Sequence, residues 1–144
     1  MTEERSNRQM NSQAEALLQL AEAAKSTFWG YLGCEIVHLE QEKVTISLDA
    51  QPHHLNLLNL IHGGVLASLL DNAMGLVVLQ LCPDEKTVTA YMNIHYLKSS
   101  GVGILTCDAE LIHRSKRTLT TQSRIYGDDG ELLAWGSGSY RIVK

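Results

Sequence analysis

From His62 to Leu81 the chain reads His-Gly-Gly-Val-Leu-Ala-Ser-Leu-Leu-Asp-Asn-Ala-Met-Gly-Leu-Val-Val-Leu-Gln-Leu, and Asp71 is the only formal charge in it. Apolar side chains cover nearly the whole circumference of a helix drawn over this stretch, so such a helix has to be wrapped by protein. It is long enough to cross a bilayer. Asp71, Asn72 and Gln80 within it, with no basic flanks, point instead to the core helix of a domain. Gly63 and Gly64 stand where the helix begins. A helix start leaves backbone N–H groups unpaired, and glycine lets a ligand approach them closely. An acid in so apolar a run is costly unless it is paired or used. One element therefore offers both backbone donors and a carboxylate.

The flanking segments say what does the wrapping. A chain of 144 residues fits one domain. Residues 1–12 are polar and read as a frayed tail. Ser12 with Glu15 makes a capping box, and Leu17, Leu18, Leu20, Ala21 and Ala24 then recur at helical spacing to about Lys25. This short helix is expected to pack on the domain's own sheet or on a dimer edge. Residues 1–27 thus form a tail and short helix, and residues 28–144 the domain proper. Residues 28–33 read as a turn, 34–40 and 43–48 as two strands joined tightly at Gln41-Glu42, and 51–54 as a loop. His53 and His54 in that loop are read as surface residues, because adjacent side chains diverge and no other metal ligand lies near in sequence.

Pro83-Asp84-Glu85 stops the central helix, and the remainder alternates as strands. In 87–97, strict alternation puts Val88, Ala90, Met92, Ile94 and Tyr96 on one face. In 103–113 it groups Leu105, Cys107, Ala109 and Leu111. Strands over 119–126 and 132–142 flank Asp128-Asp129-Gly130, a hairpin signal. One helix apolar all round, followed by an antiparallel meander, suggests an α+β fold with a sheet curled about that helix.

Net charge is -4 with 19% charged residues, which argues against nucleic acid as a partner. Cys34, Cys82 and Cys107 are scattered and odd in number, with neither metal spacing nor a disulfide framework. A reducing compartment follows, and the charged start Met1-Thr-Glu-Glu-Arg shows no signal-peptide pattern. The expected location is the cytoplasm, without membrane attachment.

The spacing Asn-x5-His-Gly-Gly-x6-Asp, spelled by Asn56, His62, Gly63, Gly64 and Asp71, resembles that of the hotdog-fold acyl-CoA thioesterases, in the branch that includes phenylacetate-pathway thioesterases. The element order resembles that fold over nearly the whole chain beyond the N-terminal helix. The resemblance implies hydrolysis of an acyl- or aryl-CoA, with no cofactor because CoA is part of the substrate. It implies that Asp71 is general base or nucleophile, that the Gly63 N–H is the oxyanion donor at the positive end of the helix, and that Thr89 supports the acid. His62 and Asn56 would shape the loop and assist the leaving thiolate. Asn59 stands where the family often has glycine, a position that asparagine can fill because it tolerates left-handed backbone. Arg114, Lys116, Arg117 and Thr118 form the one basic turn and suit the nucleotide phosphates, which the family meets there. Trp29, Trp135, Tyr91 and Tyr96 are candidates for holding an aryl acyl group. The rival readings are a hotdog hydratase or dehydratase, whose His and acid pattern usually differs, and an acyl-CoA sensor that binds without turnover.

Nine residues separate His62 from Asp71, about 13 Å along a helix axis. A single thioester carbonyl cannot touch both within one chain. The site is therefore expected to join Gly63 of one subunit to Asp71 of another, in a two-fold dimer at least. The resemblance adds tetramers built from such dimers.

Overall fold

The structure is a computed structural model that describes residues 2–144. A first helix, α1, covers Thr2–Ala23, and a short 3-10 turn, Ala24–Ser26, leads to a small helix, α2, over Phe28–Leu32. Two strands follow, β1 (Cys34–Leu39) and β2 (Lys43–Ala50), then a 3-10 turn at Pro52–His54 and the long helix α3 (Gly63–Leu81). Four strands close the chain: β3 (Lys86–Tyr96), β4 (Gly103–Arg114), β5 (Thr118–Tyr126) and β6 (Leu132–Val143). All six strands make one sheet in the order β1-β2-β4-β5-β6-β3, and every neighbouring pair is antiparallel.

The sheet curls about α3, as expected. Leu69, Leu70, Ala73, Met74, Val77 and Val78 point into it and are essentially inaccessible, a 3.6-residue stripe against the inward rows of β2, β4, β5 and β6. Two glycines on β6 let the helix come close. A Cβ at Gly138 would lie 3.1 Å from the Met74 thioether, and one at Gly136 would lie 3.4 Å from Leu70. The opposite side of α3, with Asp71, Asn72, Gly75, Leu76 and Leu79, is only half-buried.

Three expectations are corrected. The first helix begins at Thr2, and Ser12 lies inside it. No glycine or proline interrupts residues 2–23, Glu3 and Glu4 suit the positive end, and the packed second half carries the exposed first half by propagation. This helix packs against β1 of the domain's own sheet, as expected, and faces α3 across a cavity. Residues 28–33 contain α2, closed by Gly33 at φ 95. His54 is buried at 4% exposure and is not a surface residue. Its Nδ1 accepts from the Gln51 N–H (2.9 Å) and its Nε2 donates to the Leu32 carbonyl (2.7 Å), tying the β2 end to α2.

Candidate active site

Asp71 lies in the third turn of α3, and its Oδ1 receives two hydrogen bonds. The Thr89 hydroxyl donates at 2.9 Å and the Tyr140 hydroxyl at 2.6 Å. Tyr140 is 3% exposed. Burial pushes its phenol well above the ordinary range, and the hydrogen bond to Asp71 adds to this, so it remains a donor. Among the described residues nothing donates to Oδ2. Asp71 lines a cavity of about 340 Å³ that Thr89 and Tyr140 share, roofed by Leu17 and Leu20 of α1 and by Trp29 of α2.

A β-bulge brings Thr89 to Asp71. The pairing of β3 with β6 shifts between Thr89 and Tyr91, so Ala90 is the extra residue. Beyond the bulge Met92, Ile94 and Tyr96 sit opposite Gly138, Gly136 and Ala134, all buried; before it Thr87 and Thr89 sit opposite Ile142 and Tyr140. Unbroken alternation would have turned Thr89 away from the helix. The expected face is therefore corrected at its first half, where Val88 is exposed at 42%. A bulge re-aims side chains in this way.

The helix start is built by His62. Its Nδ1 accepts from the Gly64 N–H at 2.8 Å, and its carbonyl accepts from Val65 and Leu66 at 2.9 and 3.3 Å. Of the first four amides of α3, only that of Gly63 has no acceptor among the described residues. Because Nδ1 accepts, a neutral His62 carries its proton on Nε2. The Tyr96 ring lies beside Gly63, 3.4 Å from where a Cβ would be. The Asn56 side chain is used within the loop. Its Oδ1 accepts from Leu58 and Leu60 at 2.9 and 3.2 Å, and Asn59 takes the left-handed conformation with φ 59.

Gly63 and Asp71 lie eight residues, about 12 Å, apart along the helix axis, so one chain does not bring them together. The basic turn is farther still. Arg114 Nη1 reaches the Leu81 carbonyl at 3.4 Å, which places Arg114, Lys116, Arg117 and Thr118 at the C-terminal end of α3, about 27 Å along the axis from Gly63. Arg114 there complements the negative end of the helix. Of the aromatic candidates, Trp29 lines the cavity, whereas Trp135 stacks on His95 with ring centroids 4.9 Å apart and Tyr91 is 63% exposed. Among the described residues, no group of three His, Cys, Asp or Glu side chains could hold a metal ion.

Tyr140 was not singled out from the sequence. A lone tyrosine on a strand reads as packing. The available signal was its row: Ala134, Gly136 and Gly138 precede it on the same face, and a large polar-tipped side chain beside small ones under a helix has a specific target.

A sheet curled about one helix, with a doubly held carboxylate on that helix and a free amide at its start, belongs to the class of hotdog-fold thioester hydrolases. The sequence profile of the thioesterase superfamily matches residues 58–134, more than half of the chain, and the chain belongs to that superfamily. It is 29% identical to a 1,4-dihydroxy-2-naphthoyl-CoA hydrolase of Listeria monocytogenes, over 71% of this chain and 84% of that one. A hypothetical thioesterase protein of Streptococcus pneumoniae solved with coenzyme A superposes with TM-score 0.73 at 26% identity, covering 77% of this chain and 86% of that one. The phenylacetic acid degradation protein PaaI of Thermus thermophilus superposes with TM-score 0.74 at 25% identity, covering 81% and 98%.

Proposed function

We propose that the protein hydrolyses acyl-CoA thioesters to the free acid and CoA, with Asp71 activating the attacking water. The observation that carries this reading is the Asp71 carboxylate, with one oxygen held by Thr89 and Tyr140 and the other without a donor among the described residues. Oδ2 takes the proton of a water as its oxygen attacks the thioester carbonyl. The Gly63 N–H holds the oxyanion that forms, aided by the helix dipole. Collapse of the tetrahedral adduct breaks the C–S bond, and the thiolate leaves with a proton from Asp71. No cofactor takes part. A carboxylate held by two donors suits a base better than a nucleophile that must swing onto the carbonyl.

The 12 Å between Gly63 and Asp71 supports a site in which the two come from different subunits. The long outer strand β3 supports such a dimer. It has an open edge, and Tyr91 and Tyr96 along it, with Leu57 and Leu58 in the loop before α3, are exposed at 63%, 55%, 102% and 77%. Pairing of two such dimers gives the expected tetramer. The basic turn Arg114–Thr118 takes the nucleotide phosphates from outside the helix, and the buried free thiols suit the cytoplasm.

The test is thiol release from a panel of acyl- and aryl-CoAs by the protein and by Asp71→Asn. Turnover that falls at least about a hundredfold in the folded variant is expected. No turnover of any thioester by the unsubstituted protein overturns the reading.

A further inference from the structure

The cavity beside Asp71 does not end there. A second one, of about 230 Å³, shares Leu17, Leu20 and Leu79 with it and reaches Pro83. Together they make a groove whose floor is the half-buried side of α3 and whose roof is α1. Asp71, Gly75 and Leu79 stand at i, i+4 and i+8, so they form one row along that floor. Asp71, Asn72, Thr89 and Tyr140 make a polar group about the carboxylate, and Thr87 lies one strand step further on. Past Gly75 the helix walls are mostly leucine and alanine as far as Gln80 and Pro83.

Gly75 makes the room. Glycine inside a helix is unfavourable relative to alanine, and a close neighbour usually explains it. Here a Cβ would find nothing within 4 Å among the described residues. One turn beyond the carboxylate, the floor is simply hollow.

We infer that this groove holds the acyl part of the substrate, and that the acyl part is an unbranched aliphatic chain of medium length. This rests on the thioesterase reading. Asp71 to Leu79 is about 12 Å along the axis. An extended chain advances about 3.6 Å over three bonds, or about 1.2 Å per bond, so about ten carbons fill the groove. A compact aryl group would occupy only its mouth. The roof belongs to this chain's own N-terminal helix, which lies outside the region matched by the superfamily profile.

Two measurements test the inference. The first is calorimetric titration of the Asp71→Asn protein with free CoA and with acetyl-, butyryl-, decanoyl- and phenylacetyl-CoA. Each buried methylene is expected to tighten binding by about fourfold, so decanoyl-CoA binds at least tenfold tighter than acetyl- or phenylacetyl-CoA. Equal affinities, or a preference for the aryl group, overturn the inference. The second is the ratio of kcat/KM for decanoyl- over butyryl-CoA in the protein, Gly75→Leu and Leu20→Trp. Leu20 is half-exposed, and leucine favours helices more than glycine does, so thermal melts are expected to show both variants folded. The ratio falls at least tenfold in each folded variant; a ratio that stays put in both overturns the inference. A chain-length preference in binding without any hydrolysis would remove the thioesterase reading and leave the groove. Hydrolysis without a chain-length preference would do the reverse.

Discussion

The Tyr140 hydroxyl lies 2.6 Å from Asp71 Oδ1 and 3.2 Å from the carbonyl oxygen of the same residue. It has one proton to give, and the carboxylate is the nearer acceptor. A buried phenol from β6 thus fixes the rotamer of an acid on α3 and leaves its second oxygen to the cavity. Hydrogen bonds to charged groups are worth about 1.5–3 kcal/mol. Tyr140→Phe is therefore expected to lower kcat about tenfold or more, with KM little changed. A second readout is stability in alkali. Folding raises the pKa of Tyr140, so the native state keeps this proton where the unfolded chain loses it. The contribution is complete below about pH 10 and is lost as pH rises beyond it. Urea unfolding from pH 9 to 11 should show that loss in the protein and a weaker one in Tyr140→Phe.

Gly63→Pro removes one N–H and little else. Proline is favoured at the first position of a helix, and His62 has φ -61 and ψ 135, the extended backbone that a following proline demands. Its Cβ would meet the Tyr96 ring at an ordinary contact distance. A folded variant with kcat down about a hundredfold or more is expected if this amide is the oxyanion donor. Mixing it with Asp71→Asn builds heterodimers in which one of two sites takes both intact residues. About a quarter of the unsubstituted activity should return after random exchange. Heterodimers that form and stay inactive would refute the shared site.

His62 caps α3 through Nδ1, and Gly64 gives the ring its place, since a Cβ there would lie 3.0 Å from that nitrogen. His62→Ala should cost about 1 kcal/mol of stability, whereas His62→Asn, which also caps, should restore most of it. Chemical denaturation of both variants decides. If Asn restores stability but not turnover, the imidazole has a chemical role as well.

His54 makes the protein sensitive to acid. Burial lowers its pKa, with His53 adding to the effect and the Leu32 carbonyl opposing it. Protonation would also turn Nδ1 into a second donor against the Gln51 N–H. The stability it contributes is complete above the ordinary histidine value of about 6.5 and falls as pH drops below it. Unfolding free energy measured from pH 7.5 to 5 should decline, and less steeply in His54→Asn.

What the sequence made legible is local. The boundaries of α3 follow from two glycines and a proline, and its burial from an unbroken apolar surface. Asp71 stood out because it was the single charge there. The hairpin turns and most strand faces follow from period-two alternation. Thr89 was reached through the motif alone. Alternation put it on the wrong face, because nothing in Thr-Ala-Tyr marks Ala90 as an inserted residue. His54 and Tyr140 escaped for a related reason. Their partners, Leu32 and Asp71, lie 22 and 69 residues away, and no pattern within a strand or a turn encodes contacts at that separation. The length of α1 escaped because polar residues alone do not distinguish a frayed tail from a helix carried outward by its anchored half.

The bulge at Ala90 bears on who may join the sheet. A strand seeking the free edge of β3 cannot run past that point in one uninterrupted ladder, because the row of amides and carbonyls changes phase there. A flat foreign strand would match one half and miss the other. A second copy brings the same interruption at the same place, and the two-fold axis can set one against the other. If two copies pair as proposed, the residue that aims Thr89 at Asp71 would also act as a password on the outer edge, and it discourages the open-ended stacking to which bare strands are prone.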